Sequence, residues 1–235
     1  MNLGGFVASF SRVADIVMSF LYLNCLWLLF NFPIIYLSID LLFRQSFDEV
    51  IVLLSVIIAL IPFLGFPATA ALLAIVRRWI MKRPVGHLFK RFVKHYKENY
   101  IRSMFGGLIF LPIYLLWIWN FLLSDVTFWT GAFYFHIIIL FIIVTLTYYY
   151  FADMVHMQIS FIQSMQKIIF MSLFYFPYTL GAAAAAIIVL LVLILIHPIV
   201  FILFSMSLVS YIYFFAYYQI YNRAKQKEES EVQFR

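Results

Sequence analysis

The side chains able to do acid–base, nucleophilic or metal chemistry are few and scattered in this chain. Asp153 and His156 lie just past a long apolar run. An ionisable residue buried in lipid is a functional hypothesis by default. These two sit at the edge of the run, where water reaches them, so a structural or snorkelling role outweighs a proton relay. Proton-coupled transport needs carboxylates at mid-depth, and the apolar runs hold none. His87, His95, His136, His156 and His197 are dispersed; His136 and His197 lack a carboxylate partner in sequence, Asp125 being the acid nearest His136. The chain has no H-E-x-x-H, no G-x-S-x-G, no phosphate loop and no cluster with metal-ligand spacing. The expectation is therefore a protein that is no enzyme, with no catalytic, metal or cofactor residues. Cys25 is the sole cysteine, so an internal disulfide is excluded, and it reads as a small hydrophobe.

The elements that position these groups are set by the solvent. Of 235 residues, 66% are hydrophobic, 21% aromatic and only 11% charged. A water-soluble domain carries roughly 25% charged residues, so this chain could not cover a wetted surface. It belongs in lipid. A spanning helix needs about 20 mainly apolar residues to cross a hydrocarbon core ~30 Å thick. The charge-free runs predict spans near 14–38, 50–76, 103–123, 132–152, 172–196 and 199–221. The last two share one run, which His197-Pro198 must fold into a hairpin, because proline ends or kinks the preceding helix. The first run exceeds a signal peptide's apolar core, shows no cleavage pattern, and is expected to stay as a span.

Loop charge orients the bundle. Arg77, Arg78, Lys82, Arg83, Lys90, Arg91, Lys94, Lys97 and Arg102 lie between the second and third spans. Arg12, Lys167, Arg223, Lys225, Lys227 and Arg235 fall on the same side, whereas Arg44 stands opposite among Asp40, Asp48, Glu49 and Asp125. By the positive-inside rule both termini are cytoplasmic. The fold class is thus all-α: one membrane domain over 1–235, a polytopic bundle of about six spans, N-in and C-in, with one amphipathic cytoplasmic helix over 86–102. The location expected is the plasma membrane of a bacterium. The net charge of +6 gathers in one loop between two spans. That placement favours anionic lipid head groups over nucleic acid, which is not expected as a partner.

Two stretches carry the candidate functional residues. On a helix over 86–102, Leu88, Phe89, Phe92, Val93, Tyr96 and Tyr100 fall within an arc of roughly 140°. Lys90, Arg91, Lys94, Lys97, Glu98 and Arg102 fill the other side. Such a helix lies on the membrane as a topological anchor or docks on a partner, and Lys90, Arg91, Phe92, Lys94, Tyr96 and Lys97 are the expected contact residues. In the second span Pro62, Gly65 and Pro67 predict a kink or break, and Ala68, Thr69, Ala70 and Ala71 allow close helix approach. A broken helix offers backbone groups to a substrate or ion, while a kink packed against neighbours is the simpler reading. The small tract Gly181 to Ala186 predicts tight packing within the chain or between subunits, so the oligomeric state stays open.

Three segments resemble a known family: Leu23-Asn24-Cys25-Leu26-Trp27-Leu28-Leu29-Phe30; Phe66-Pro67-Ala68-Thr69-Ala70-Ala71-Leu72 with Val76-Arg77-Arg78-Trp79; and Phe89-Lys90-Arg91-Phe92-Val93-Lys94-His95-Tyr96-Lys97. Together they look like the YesL-like family of small bacterial integral membrane proteins, a domain family of unknown function. Some relatives have Gly directly before the Pro-Ala-Thr-Ala-Ala run, where Phe66 stands here. Members are often encoded beside carbohydrate ABC importers. The resemblance implies an accessory membrane subunit or assembly factor, with sugar permease subunits as partners. It supplies no catalytic residues. The chain lacks the Glu-Ala-Ala loop of an ABC permease itself. A small transporter or channel using the second span, and a membrane sensor or scaffold, are the alternatives.

Overall fold

The computed structural model describes residues 3–84, 86–124, 130–157 and 159–233. Asp125 and Arg235 lie outside the described residues. Every regular element among those described is helical: α1 (Leu3–Phe30), α2 (Phe32–Leu41), α3 (Phe47–Leu60), a π-helical turn (Ile61–Gly65), α4 (Phe66–Ile80), α5 (Leu88–Leu123), α6 (Thr130–His156), α7 (Phe161–Phe174), α8 (Phe176–Ile196) and α9 (Pro198–Gln233). Among the described residues six helices are long and apolar enough to cross a membrane, at Val13–Phe30, Phe47–Ile80, Leu88–Leu123, Gly131–His156, Phe176–Ile196 and Pro198–Lys227. Their outward faces are greasy: Leu122 on α5 is 72% exposed and Leu195 on α8 is 82% exposed. Water would not tolerate such faces, and lipid tails do.

Boundaries depart from the sequence expectation where proline or local polarity intervenes. The first span stops at Phe30, and Pro33 begins the separate α2, where its missing N–H costs nothing. The fifth span starts at Phe176 rather than 172, again with proline (Pro177) in its first turn. Before it comes α7, which the sequence reading did not resolve. Ser160 caps α7 by accepting from the Gln163 N–H, in a reciprocal capping box. The proposed amphipathic helix over 86–102 is not a separate element. It is the first half of α5, which runs unbroken for 36 residues into the third span. The second span does not break either. Pro62 removes a backbone donor, and the chain answers with one wide π turn before α4 resumes. The hairpin at His197-Pro198 forms as expected, and His197 Nδ1 accepts from the Ile199 N–H at 3.2 Å to start α9.

Polar side chains inside the bundle pin spans to one another. Asn24 is fully buried. Its Nδ2 donates to the Ile202 carbonyl at 2.7 Å and its Oδ1 accepts from the Ser207 N–H at 3.0 Å, fastening α1 to α9. Trp27 Nε1 donates to Thr69 Oγ1 at 3.1 Å, fastening α1 to α4. Thr69 in turn donates to Gly65 O at 2.9 Å, and Tyr96 OH donates to Phe63 O at 3.4 Å, so the π turn's loosened carbonyls find partners. Phe30 packs its ring on Phe92 and Tyr96, with centroids 5.0 and 4.7 Å away.

Close approach does the rest. A Cβ at Gly107 would collide with the Phe66 ring, and one at Gly106 would collide with Tyr150. These two positions let α5 press against α4 and α6 at once. Ala182, Ala183 and Ala186 are likewise buried within the chain, where α8 packs along α9. Gly107→Ala is expected to lower stability by about 1–3 kcal/mol through overpacking. Phe66→Leu added to it should restore most of the loss, as read by detergent unfolding titrations of the single and double variants.

Candidate functional site

Chemistry concentrates at the basic end of the bundle. There the C-termini of α4 and α6, the first half of α5 and α7 gather, with the middle of α9 around Tyr217 and Tyr221 alongside α6 and α7. Asp153 on α6 is 0% exposed. Its Oδ1 accepts from Lys167 Nζ at 2.5 Å and from Tyr217 OH at 2.6 Å, and its Oδ2 accepts from Ser164 Oγ at 2.5 Å. One carboxylate thus binds α6, α7 and α9. Lys167 also lies over the Tyr221 ring, 4.8 Å from its centroid, a favourable cation–π placement. The sequence reading put Asp153 where water reaches it, and the structure corrects this: α7 folds over the carboxylate and seals it. Ser164 is buried and its hydroxyl is donated to Asp153, so it presents no free nucleophile. The arrangement is an ionic clasp.

Beside the clasp opens a polar cavity of about 710 Å³. Arg77 and Arg78 from α4, Arg83 from the following turn, His95, Glu98, Asn99 and Arg102 from α5, and Met154, Val155 and His156 from α6 line it. Local structure explains the convergence. α4 ends in a Schellman turn, with the Arg83 N–H returned to Arg78 O at 2.8 Å and the Lys82 N–H to Trp79 O at 3.0 Å. Lys82 takes the left-handed conformation (φ 53°) that such a turn requires. The turn folds Arg83 back beside Arg77 and Arg78. Gly86, at φ +59°, then redirects the chain into α5.

Backbone carbonyls hold the guanidinium groups. Arg77 Nη1 donates to Val155 O at 2.6 Å and Arg102 Nη2 to Ile159 O at 2.7 Å. Arg78 donates from Nε and Nη2 to Pro84 O, at 3.2 and 2.8 Å. Glu98 accepts from His95 Nδ1 at 3.0 Å and lies 3.7 Å from Lys94 Nζ. Arg77 Nε and His156 Nδ1 are buried with no partner. An unsatisfied buried donor costs about 1–3 kcal/mol, more when charged. The aromatic rings of Tyr217, Tyr218 and Tyr221 surround His156.

The residues predicted to make contacts divide between two faces. Lys90, Lys94 and Lys97 are exposed, and Arg91 is half-buried. Phe92 is fully buried and Tyr96 half-buried, both packed on Phe30. Pro62, Pro67, Ala68 and Ala70 are buried packing residues, Gly65 ends the π turn, and Thr69 takes the Trp27 bond. A second cavity, of about 990 Å³, adjoins this turn. Its lining is apolar except for the exposed Trp119 indole and a few hydroxyls, such as that of Tyr114, which donates to Thr147 at 3.1 Å. Sequence reasoning counted Arg77, Arg78, Arg83 and Arg102 as loop charge, with Arg102 also on the polar side of the helix and Arg77-Arg78 in a family-like segment, and missed the cavity. One signal was available: the cavity residues are arginines, whereas the outward stripe is mainly lysine, and the two differ in how they bind oxyanions. Among the described residues no three His, Cys, Asp or Glu side chains gather to hold a metal ion.

The clasp is testable by charge removal. Asp153→Asn strands the Lys167 ammonium, and breaking a buried pair costs about 3–5 kcal/mol. Lys167 retains 25% exposure, so a loss near the lower bound is expected. Asp153→Asn/Lys167→Met should recover part of it, as measured by thermal unfolding in detergent.

Comparison with known proteins places this architecture. Residues 20–121 match the family model described as a protein of unknown function, DUF624. The matched segment runs from α1 to near the end of α5 and contains all three family-like motifs. The chain is also similar to the uncharacterized protein YteU of Bacillus subtilis (strain 168), with 25% identity over 234 residues, covering 96% of this chain and 91% of that protein. No solved structure matches. In space the motifs form one unit, since Trp27 of the first bonds Thr69 of the second and Phe30 of the first packs on Phe92 and Tyr96 of the third. That unit of three spans, residues 20–121, is similar to the DUF624 family, in keeping with the YesL-like resemblance of its motifs.

Proposed function

We propose that the protein is an accessory integral membrane subunit or assembly factor of a bacterial carbohydrate ABC importer, seated in the plasma membrane with its basic end in the cytoplasm. The sugar connection rests on the YesL-like resemblance. The observation that carries a contact role is the first half of α5. Phe92 and Tyr96 of its aromatic face are already spent on Phe30, Phe89 stays exposed, and the stripe of Lys90, Lys94 and Lys97 is left facing outward. An interfacial anchor would turn those aromatic rings to lipid instead. A charged stripe on a rigid helix suits an acidic surface on a partner, where complementary charge sets encounter rate and register. The broad apolar flanks of α5 and α8 suit association with further spans in the bilayer.

The transporter reading fits less well. The π turn in the second span keeps its carbonyls occupied, and the adjoining cavity offers a polar substrate almost nothing to replace its water.

Affinity purification from the native membrane in mild detergent should recover permease and solute-binding subunits. Lys90→Glu/Lys94→Glu/Lys97→Glu is expected to cut that recovery roughly tenfold, as loss of charge complementarity does at steered interfaces, without lowering the yield of folded protein. Recovery of the chain alone, or undiminished recovery with the reversed stripe, would sink the proposal. Purified protein in liposomes is expected to carry no sugar flux above that of protein-free liposomes.

A further inference from the structure

We infer that the arginine-lined cavity at the basic end is a binding site for a phosphate-bearing group. Arg77, Arg78, Arg83 and Arg102 converge on it from three separate chain segments. The bonds that fix Arg77, Arg78 and Arg102 go to the neutral carbonyls of Val155, Pro84 and Ile159. Those bonds hold the planar forks in place and neutralise no charge. Among the described lining residues Glu98 is the one carboxylate, and it is engaged by His95 and lies near Lys94. Asp153, one residue before the lining segment, is turned into the Lys167 clasp. The cavity therefore keeps an excess of fixed positive charge that the protein's own acids do not balance.

Guanidinium forks present paired N–H donors that match two oxygens of a phosphate, and they stay charged at any physiological pH. Arg77 Nε, a buried donor without a partner, is the kind of orphaned group an oxyanion satisfies. A cavity of about 710 Å³ exceeds a bare phosphate, which suits a phosphate carried on a larger polar body. Two sources share that chemistry: the headgroup of an anionic phospholipid and a soluble phosphorylated small molecule. The site is independent of the lysine stripe, which lies on the outward face of α5.

The full-length protein, purified in detergent, is titrated with inorganic pyrophosphate by calorimetry. In parallel it is reconstituted into nanodiscs of mixed phosphatidylglycerol and phosphatidylcholine and then stripped of bulk lipid, and the retained lipid is identified by native mass spectrometry. Arg83→Gln removes a cavity charge whose side chain makes no hydrogen bond among the described residues, its turn bond being through the backbone N–H. Arg102→Lys keeps the charge and removes the fork, and Lys225→Gln is a control outside the cavity. Pyrophosphate binding that falls about tenfold in Arg83→Gln, Arg102→Lys or both, with Lys225→Gln unchanged, supports the site and assigns a soluble source; tenfold corresponds to one lost charged hydrogen bond. Selective retention of phosphatidylglycerol, lost in the same variants while pyrophosphate fails to bind, supports the site and assigns a headgroup. The inference is overturned if neither probe binds, or if both cavity variants bind as Lys225→Gln does.

Discussion

Inside the hydrocarbon layer no water is available to a stray donor or acceptor, so each polar group placed there has to be answered by another part of the protein. This chain places few such groups between its helices, and the answers it finds determine how the helices are arranged. Asn24 spends both ends of its amide on the backbone of α9. Trp27 and Thr69 satisfy one another across the first two spans while Thr69 also tends the carbonyl of Gly65. Removing hydrophobic association as a driving force between helices leaves contacts of this kind, together with tight van der Waals packing, to choose the neighbours. The glycines of α5 serve the second need. They bring the helix near enough for the Phe66 and Tyr150 rings to occupy the space a side chain would take.

The basic end obeys different rules because water returns there. Charges are affordable, and the structure uses them in three ways that a count of lysines and arginines blends into one. Asp153 and Lys167 are drawn inward as a shielded pair. The arginines of α4 and α5 face an internal space and are held by carbonyls. The lysines of α5 face outward. Opposite, Arg44 bridges Asp40 and Glu49 at 2.7 and 3.3 Å, a surface arrangement of the sort that contributes little to stability.

Much of the bundle was legible in the sequence because lipid imposes a length and a composition on each crossing. The six spans, the His197-Pro198 hairpin and the gathering of basic residues at one end follow from that constraint. Misreadings arose where a local rule was answered by a tertiary one. Pro62, Gly65 and Pro67 predict a kink or break, and the helix widens there into a π turn, with the Thr69 and Tyr96 hydroxyls donating to the Gly65 and Phe63 carbonyls. The apolar arc of residues 88–100 predicts a separate helix lying on the membrane or docked on a partner, but Phe92 and Tyr96 pack on Phe30 and the segment continues unbroken into the third span. The Asp153 clasp was hidden for a further reason. Its partners Ser164, Lys167 and Tyr217 come from helices whose mutual placement no periodicity encodes, and α7 is too short to register as a span.

The length of α5 has a mechanical meaning. At ~1.5 Å per residue its 36 residues extend about 54 Å, against a hydrocarbon core of ~30 Å. A single strut therefore runs through one leaflet, across the other and well into the aqueous phase. Tilting it by as little as ~10° about one end would sweep the other end through roughly 9 Å, by the length that helix geometry fixes. Anything that grips the projecting turns thus holds a lever whose far arm ends on the opposite face of the membrane.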